Sequence, residues 1–167
     1  YPKFIFVWDS KKSFRRDIYP DYKKKNKKQT PEMIELLGVA KPQFSEIRAK
    51  VLPYLGFKNS FIQTGLEADD CAGMIVLTHV KLKKEGQITI VSSDEDLYQL
   101  LSYCSQMYDP KKKEFYTLKN FVDEYGIAPE TWVQVKAISG CNSDNVKGVN
   151  GVGEKSALQY LKGELRG

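Results

Sequence analysis

The sequence has little of the chemistry that most hydrolytic and metal sites use. Its one histidine, His79, lies inside an apolar stretch, so we expect a packed helix residue rather than a catalytic base. The three cysteines, Cys71, Cys104 and Cys141, form no CxxC pair, which argues against a zinc ribbon or a disulfide framework and favours a reducing compartment. Serine–histidine catalysis and multi-histidine zinc sites are therefore unfavourable interpretations. Acid chemistry has to come from carboxylates.

Long hydrophobic runs are also missing. No apolar run approaches the ~20 residues of a membrane-spanning helix, and no signal peptide opens the sequence. We therefore expect a protein that binds no membrane. The chain has 167 residues, 41% of them hydrophobic and 12% aromatic, which is enough for a sizeable core. Because the first residues, YPKFIFVWDS, already have the pattern of a strand, we expect the sequence to start inside a longer reading frame.

Positive charge is concentrated in one stretch, the basic segment (residues 11–28). It holds nine Lys and Arg against two Asp, a net charge of +7, so the rest of the chain carries about −2. Cations in such a block suit phosphates, and the interleaved aromatics Phe14, Tyr19 and Tyr22 can stack on bases. The segment therefore predicts a polyanion partner bound at one place. A solvated surface helix or a localisation signal is the alternative interpretation.

Strand and helix patterns alternate along the chain. Strands are predicted for Lys3–Trp8, Phe57–Gln63, Gln87–Ser92, about Gln106–Tyr108 and near Phe115. Helices are predicted from Pro31 to Gly38, from about Phe44 to Leu55, from Glu67 to about Lys84, and in DEDLYQLLS, LKNFVDEYG and PETWVQVKAIS. This alternation indicates an α/β fold with a mostly parallel central sheet flanked by helices.

Carboxylates follow three of these strands. Asp9 ends the first strand, while Glu67, Asp69 and Asp70 follow the second. Asp94 and Asp96 follow the third. Because ligands bind at the carboxyl ends of parallel strands, we expect one acid-lined site there. Carboxylate oxygens without histidine or paired cysteine suit Mg²⁺ or Mn²⁺, and two such ions promote phosphodiester cleavage. For residues 67–70 alone, acids at a helix N-terminus are an equally good explanation.

The stretch GVNGVGEKSA (residues 148–157) is rich in glycine. It does not fit a nucleotide P-loop, because Glu154 stands between Gly153 and Lys155 and because the stretch follows a helix. Two helices joined by a glycine-rich hairpin fit better. Glycines at positions 148, 151 and 153 let a phosphate approach the backbone, and the amides of the next helix attract it. The stretch thus predicts a grip on the DNA backbone that does not depend on base sequence.

Three pieces in this order, EADD, SSDEDLYQL and SDNVKGVNGVGEKSA, resemble the 5′→3′ exonucleases and flap endonucleases. These include the nuclease domain of bacterial DNA polymerase I and small bacteriophage enzymes, so the resemblance implies a monomer in the cytoplasm of a bacterium or a phage-infected cell. The resemblance implies a PIN-like nuclease core with a helical arch, followed by a C-terminal helix-hairpin-helix. Residues 1–128 would form the core, including a basic arch region at about 11–45. Residues 129–167 would form the DNA-binding helix-hairpin-helix, with its end truncated.

The resemblance also assigns roles to residues of this chain. It implies two divalent ions, Mg²⁺ or Mn²⁺, and a K⁺ ion at the hairpin turn, Gly148 to Gly153. Lys23 corresponds to the lysine at the base of the arch. The implied metal ligands are Asp9, Glu67, Asp69, Asp70, Asp94, Asp96 and Asp144, of which all but Asp144 are also catalytic candidates together with Lys23. The implied DNA-binding residues are Lys23, Lys24, Lys25, Lys27, Gly148, Gly151, Gly153 and Lys155.

The sequence departs from the family pattern at two places. The family begins with an earlier strand that carries another ligand Asp, so we expect either a longer natural chain or a metal site that is one ligand short. In GCNSDN, Cys141 stands where the family has Asp. Because a neutral thiol offers no anionic oxygen, we expect a weakened second metal site.

The leading hypothesis is a structure-specific nuclease that cuts 5′-flap, branched or nicked DNA. A related ribonuclease acting on RNA–DNA hybrids or primers is the first alternative. A DNA-binding form with impaired catalysis is the second. A carboxylate-site phosphatase ranks last, because it needs neither the hairpin nor the basic segment.

Overall fold

The computed structural model describes residues 3–24 and 30–165. The chain divides into two compact units, with the first ending at Cys71 and the second beginning at Ala72. We describe each unit by itself. The boundary at 128/129, inferred from the family pattern, marks a different kind of division and stays a prediction.

The first unit contains two strands and the basic segment's short helix, followed by a long helical stretch. In chain order its elements are β1 (Phe6–Trp8), α1 (Arg15–Ile18), α2 (Pro31–Glu46), a π-helical turn (Ile47–Val51), α3 (Leu52–Tyr54) and β2 (Ser60–Ile62). Helix α4 (Ala68–Lys81) begins in this unit and continues into the second.

Strands β1 and β2 pair in parallel, with Phe6 opposite Ser60 and Trp8 opposite Ile62. The sequence favours this pairing because aromatic and β-branched side chains dominate both strands. The Trp8 indole N–H donates to the Ser60 hydroxyl at 2.9 Å. The ladder places Asp9 directly after β1, and the acidic stretch (residues 67–70) follows β2 after a short turn.

Helix α2 corrects the prediction that Gly38 ends one helix and that another starts near Phe44. The helix runs through both Gly38 and Pro42 and ends at Glu46. Pro42 has no N–H to bond the Gly38 carbonyl, and the helix nevertheless continues on both sides of it. The start of the helix is as predicted, with Pro31 in the first turn and the Thr30 side chain accepting the N–H of Met33 at 3.3 Å.

The second unit holds most of the chain's regular structure. After α4 its elements are β3 (Thr89–Val91), a 3₁₀ helix (Glu95–Leu100), β4 (Gln106–Asp109), β5 (Glu114–Tyr116), α5 (Leu118–Tyr125), a 3₁₀ turn (Pro129–Thr131), α6 (Trp132–Ser139), β6 (Gly140–Cys141), β7 (Val146–Lys147) and α7 (Glu154–Leu161). Strands β3 and β4 are parallel, whereas β4–β5 and β6–β7 are antiparallel.

An aromatic cluster forms the centre of the second unit. Phe121 and Trp132 are fully buried, and their rings meet edge to face with centroids 5.6 Å apart. Tyr98 and Tyr125 pack on the same cluster. Because Tyr98 belongs to the 3₁₀ helix that follows β3, this packing fixes the position of the acids that precede it in the chain.

The strand–helix alternation and the parallel ladders β1–β2 and β3–β4 confirm the α/β class. Within residues 3–24 and 30–165, no helix combines the length and the apolar character needed to cross a membrane.

Candidate active site

The acidic stretch lies at the start of α4, and its surroundings partly explain why acids are there. An Asp9 oxygen accepts the backbone N–H of Ala68 at 2.8 Å, which joins the end of β1 to the first turn of the helix. An Asp70 oxygen accepts the N–H of Glu67 at 2.9 Å. Both carboxylates satisfy N–H groups that a helix leaves without intrahelical partners. Asp69 lies in the same first turn and is half-buried.

Asp70 also forms a two-pronged ion pair with Arg15 of α1. The two guanidinium nitrogens donate to the two carboxylate oxygens, each at 2.7 Å. Planar pairs of this kind are the strong form of charge-assisted hydrogen bond. The Arg15 bond, the largest effect, holds the pKa of Asp70 below its ordinary value in spite of partial burial. Asp70 is thus an ionised carboxylate whose charge is already matched.

Glu67 is buried, with 8% of its surface exposed. Its Oε2 atom accepts the hydroxyl of Tyr22 at 2.9 Å and the ammonium of Lys23 at 2.8 Å. Burial raises the pKa of Glu67, but the bonds from Lys23, Tyr22 and Ser13 outweigh burial and bring the pKa below its ordinary value. The basic segment therefore supplies counter-charges to both Glu67 and Asp70.

A second group of carboxylates lies in the second unit. Asp94 precedes the 3₁₀ helix, and its side chain accepts the N–H of Asp96 at 3.0 Å. Burial, followed by the charge of Asp94, raises the pKa of Asp96, and Asp144 acts in the same direction. Asp144 lies in the turn between β6 and β7. The charges of Asp94 and Asp144 therefore both act on Asp96, and the role of the three acids as ligands of one site stays a prediction.

Lys136 of α6 is a cation whose charge acts on this second group of carboxylates. Its ammonium lies 3.6 Å from a Glu95 oxygen and 3.6 Å from a Glu154 oxygen, and 4.9 Å above the Trp132 ring. Its charge partly offsets the raised pKa of Asp96. Lys136 thus links the 3₁₀ helix to the start of α7 across α6.

The predicted hairpin turn, Gly148 to Gly153, lies between the short β6–β7 ladder and α7. Gly148 lies against the chain's own backbone, because a Cβ there would come within 2.3 Å of the Ser139 carbonyl carbon. Gly151 has a positive φ of 77°, and Gly153 has open space around it. Cys141 lies in β6 with its Sγ atom 3.0 Å from the Ser143 hydroxyl. The roles of these glycines toward DNA, and of Cys141 toward a metal, stay predictions.

The predicted DNA-binding lysines occupy different surroundings. Lys23 is half-buried on Glu67, and Lys24 is exposed and pairs with Asp21 at 2.9 Å. Lys155 is exposed in the first turn of α7. Lys25 and Lys27 lie outside the described residues. For all of them, DNA binding stays a prediction.

The fit to a metal ion differs between the two acid groups. Asp94, Asp96 and Asp144 offer carboxylate oxygens, which are the donors that Mg²⁺ prefers. Glu67 and Asp70 offer the same donors but face Lys23 and Arg15. In the part of the chain that the structure describes, no three His, Cys, Asp or Glu side chains form a group that could hold a metal.

Arg15 and Lys136 are the residues that sequence reasoning missed. Arg15 meets Asp70 across 55 positions of sequence, and nothing local marks it among the nine cations of the basic segment. Lys136 has a signal, because it is a single charge in the otherwise uncharged helix WVQVKAIS. The stacking role suggested for Tyr22 is wrong in this structure, because the residue is only 7% exposed and its hydroxyl bonds Glu67.

Comparison with known proteins gives consistent results. Residues 1–126 match the family model of the 5′–3′ exonuclease N-terminal resolvase-like domain. The chain is 38% identical over 163 residues to a 5′–3′ exonuclease of Halalkalibacterium halodurans, covering 93% of the chain and 50% of the relative. It is 37% identical over 156 residues to DNA polymerase I of Rhizobium leguminosarum, covering 92% of the chain and 14% of that protein. The chain therefore spans at most about half the length of these relatives.

The fold matches a solved flap endonuclease of bacteriophage T5, in a pseudo-enzyme–product complex with DNA and metal ions. The TM-score is 0.74 at 25% identity, over 91% of this chain and 56% of the other. This match confirms the predicted fold class of a PIN-like 5′ nuclease. Because the family model covers three quarters of the sequence, the chain belongs to the 5′–3′ exonuclease family through its N-terminal resolvase-like domain.

Proposed function

We propose that this chain is the nuclease part of a divalent-metal-dependent 5′ nuclease that hydrolyses phosphodiester bonds in 5′-flap or 5′-ended DNA. The observation that carries the proposal is the position of Asp94 and Asp96 directly after β3, where the Asp94 side chain accepts the N–H of Asp96 at 3.0 Å. Burial, followed by the charge of Asp94, raises the pKa of Asp96, so the fold keeps this carboxylate beside a like charge at a cost. In a chain of this family, a cation that participates in cleavage is the best reason for that cost.

The proposed cofactors are two Mg²⁺ or Mn²⁺ ions. Asp94, Asp96 and Asp144 are the residues that would hold one of them. Mg²⁺ is often bound by only one or two carboxylates together with substrate phosphates, so a group of three ligands is not required. When bound, divalent ions stabilise charge on the attacking and leaving oxygens. A K⁺ ion at residues 148–153 rests on the family resemblance alone.

The proposed substrate is DNA with a 5′ flap, a branch or a nick. Support comes from the charge of the basic segment, +7 over residues 11–28, and from the T5 relative solved with DNA. The exposed Lys155 and the start of α7 offer a second place for phosphate. The basic segment would bind near the cut, and the hairpin would hold the duplex away from it.

Cys141 distinguishes this chain from the family pattern. We propose that it weakens the second metal site, because its thiol contacts the Ser143 hydroxyl and supplies no anionic oxygen. The loss of a hard ligand reduces activity in Mg²⁺ more than in Mn²⁺. A form that binds DNA with impaired catalysis is the extreme case of the same proposal.

A cleavage assay tests the proposal. Labelled 5′-flap DNA and an RNA–DNA hybrid of the same sequence are incubated with the protein in Mg²⁺, in Mn²⁺ and in EDTA. We expect cleavage of the flap DNA in Mn²⁺, slower cleavage in Mg²⁺ and none in EDTA. Faster cleavage of the hybrid would favour the ribonuclease alternative. DNA binding without cleavage in either metal would contradict the nuclease.

A further inference from the structure

Arg15 and Lys23, here called the cation pair, occupy two of the carboxylates that the family pattern assigns to metal. Arg15 covers both oxygens of Asp70 at 2.7 Å, and the ammonium of Lys23 lies 2.8 Å from Glu67 Oε2. A divalent ion on the same oxygen lies about 2.1 Å from it. The ion and the side-chain cation would then be at most about 5 Å apart, with little water between them.

The side chain of Tyr22 and the backbone of Lys23 both support the position of the cation pair. Tyr22 is buried next to both cations, with its ring centroid 5.9 Å from the Arg15 guanidinium and 5.3 Å from the Lys23 ammonium. Its hydroxyl bonds the same Glu67 oxygen as Lys23. Lys23 has a φ of 51°, in the left-handed region that non-glycine residues adopt at a cost. The backbone is therefore strained at the residue whose ammonium contacts Glu67.

We propose that the cation pair keeps Glu67 and Asp70 closed to divalent metal in the free protein, and that metal occupies them only after Arg15 and Lys23 have moved away. The inference rests on the proposed function for what moves them. A DNA phosphate offers Arg15 the same planar, two-pronged partner as a carboxylate and offers Lys23 a point of negative charge. Substrate binding then opens the metal ligands, and metal and DNA affinities are coupled positively.

Mn²⁺ binding without DNA tests this exclusion directly. Free Mn²⁺ is measured by electron paramagnetic resonance during titration of the parent, Arg15→Gln and the matched control Arg16→Gln. Arg16 is the exposed neighbour of Arg15 in the same helix. We expect Arg15→Gln to bind Mn²⁺ roughly 5- to 150-fold more tightly than the parent, the usual range of coupling between sites, and Arg16→Gln to match the parent.

Two further variants separate exclusion from other effects. In Arg15→Gln combined with Asp70→Asn the gain in affinity should disappear, because the exposed carboxylate is gone. Arg15→Lys keeps the charge with only one prong and should give an intermediate affinity, which covers the case in which Arg15→Gln does not fold by circular dichroism. Parent-like Mn²⁺ affinity in whichever Arg15 variant folds would overturn the inference.

The same protein preparations separate this inference from the proposed function. DNA cleavage by the parent, combined with parent-like Mn²⁺ affinity in the Arg15 variants, would remove the exclusion and leave the nuclease. Tighter Mn²⁺ binding by Arg15→Gln in a protein that does not cleave DNA would support the exclusion and remove the nuclease.

Discussion

Single residues of the basic segment decide the electrostatic state of the acidic stretch. Three carboxylates within four positions, 67–70, raise the question of what offsets their repulsion. In the described structure, Arg15 balances Asp70 and Lys23 balances the buried Glu67, while Asp9 and Asp70 cap the start of α4. Of the two explanations considered from sequence, the helix N-terminus applies, whereas bound metal ions stay a prediction, because the cations found on Glu67 and Asp70 are side chains. The cations come from the chain itself.

The lowered pKa values of Glu67 and Asp70 predict how stability depends on pH. A carboxyl group whose pKa is lowered by folding stabilises the fold above its ordinary pKa, and this contribution is lost as pH falls through the lowered value. The ordinary values are 4.5 and 3.8, so the loss should begin near pH 5 and continue below pH 4. Arg15→Gln should be less stable than the parent at pH 7 and should lose less on acidification.

Thermal midpoints between pH 7 and pH 3 measure this effect, with Arg16→Gln as the control. Groups that titrate elsewhere in the chain cancel when variant and parent are compared. Equal acid-induced losses in the parent and in Arg15→Gln would show that the ion pair with Asp70 has no influence on stability.

The sequence predicts the acids of the candidate site but not their partners. Asp9, Glu67 and Asp94 follow strands, and strand ends are visible in a local pattern. The partner of Asp70 is not, because any of nine cations in the basic segment could meet it and only the folded chain selects Arg15. The local sequence likewise did not show that Tyr22 is buried, because its partner Glu67 lies 45 positions away.

Among the elements, those that have a clear period were predicted well. β1, β3 and α5 appear close to their predicted bounds, and the turn DPKKKE joins β4 to β5 as expected. Helix propensity gave the wrong end for α2, because Gly38 and Pro42 disfavour a helix on average but do not always end one. The stretch DEDLYQLLS forms a 3₁₀ helix, Glu95–Leu100, rather than an α-helix. Tertiary packing of Tyr98 and Leu101 holds it in place.

The β6–β7 element predicts a large difference between two of the hairpin glycines. A Cβ on Gly148 would lie 2.3 Å from the Ser139 carbonyl carbon and 2.4 Å from the Gly140 nitrogen, and neither backbone atom can move cheaply. Gly148→Ala should therefore lower the free energy of unfolding by about 1–3 kcal/mol or more. Gly153→Ala meets nothing within 4 Å and should cost less than about 1 kcal/mol, as a change of helix cap.

Urea unfolding of the two variants measures the difference. Similar losses would mean that the β6–β7 turn relaxes around a new side chain, and that close backbone approach does not explain Gly148.

At the scale of the whole molecule, positive charge is concentrated in one segment of the sequence. The net charge of +5 combines +7 in the basic segment with about −2 elsewhere, where the acid groups lie. A uniformly basic surface would bind DNA anywhere. Charge concentrated in residues 11–28 predicts that DNA affinity and its salt dependence arise mainly from that segment.

Salt dependence of DNA binding tests this distribution. Replacing Lys23, Lys24 and Lys25 with Ala removes three phosphate contacts and should make the slope of log affinity against log salt shallower by about 2–3. The matched control replaces Lys111, Lys112 and Lys113, three exposed lysines in the β4–β5 turn, with the same change in net charge. Equal changes of slope in the two triple variants would mean that the basic segment is only a solvated surface.

The most direct test of the central claim, that the acids of the second unit serve metal-dependent cleavage, is the variant Asp94→Asn. Asn keeps the oxygen that accepts the N–H of Asp96 at 3.0 Å, so the 3₁₀ helix keeps its cap. Single-turnover cleavage of 5′-flap DNA in Mn²⁺ is measured beside DNA binding in EDTA, with the exposed Asp123→Asn as control. We predict a loss of cleavage rate of at least about 100-fold at unchanged binding. Cleavage by Asp94→Asn at the rate of the parent would contradict the account.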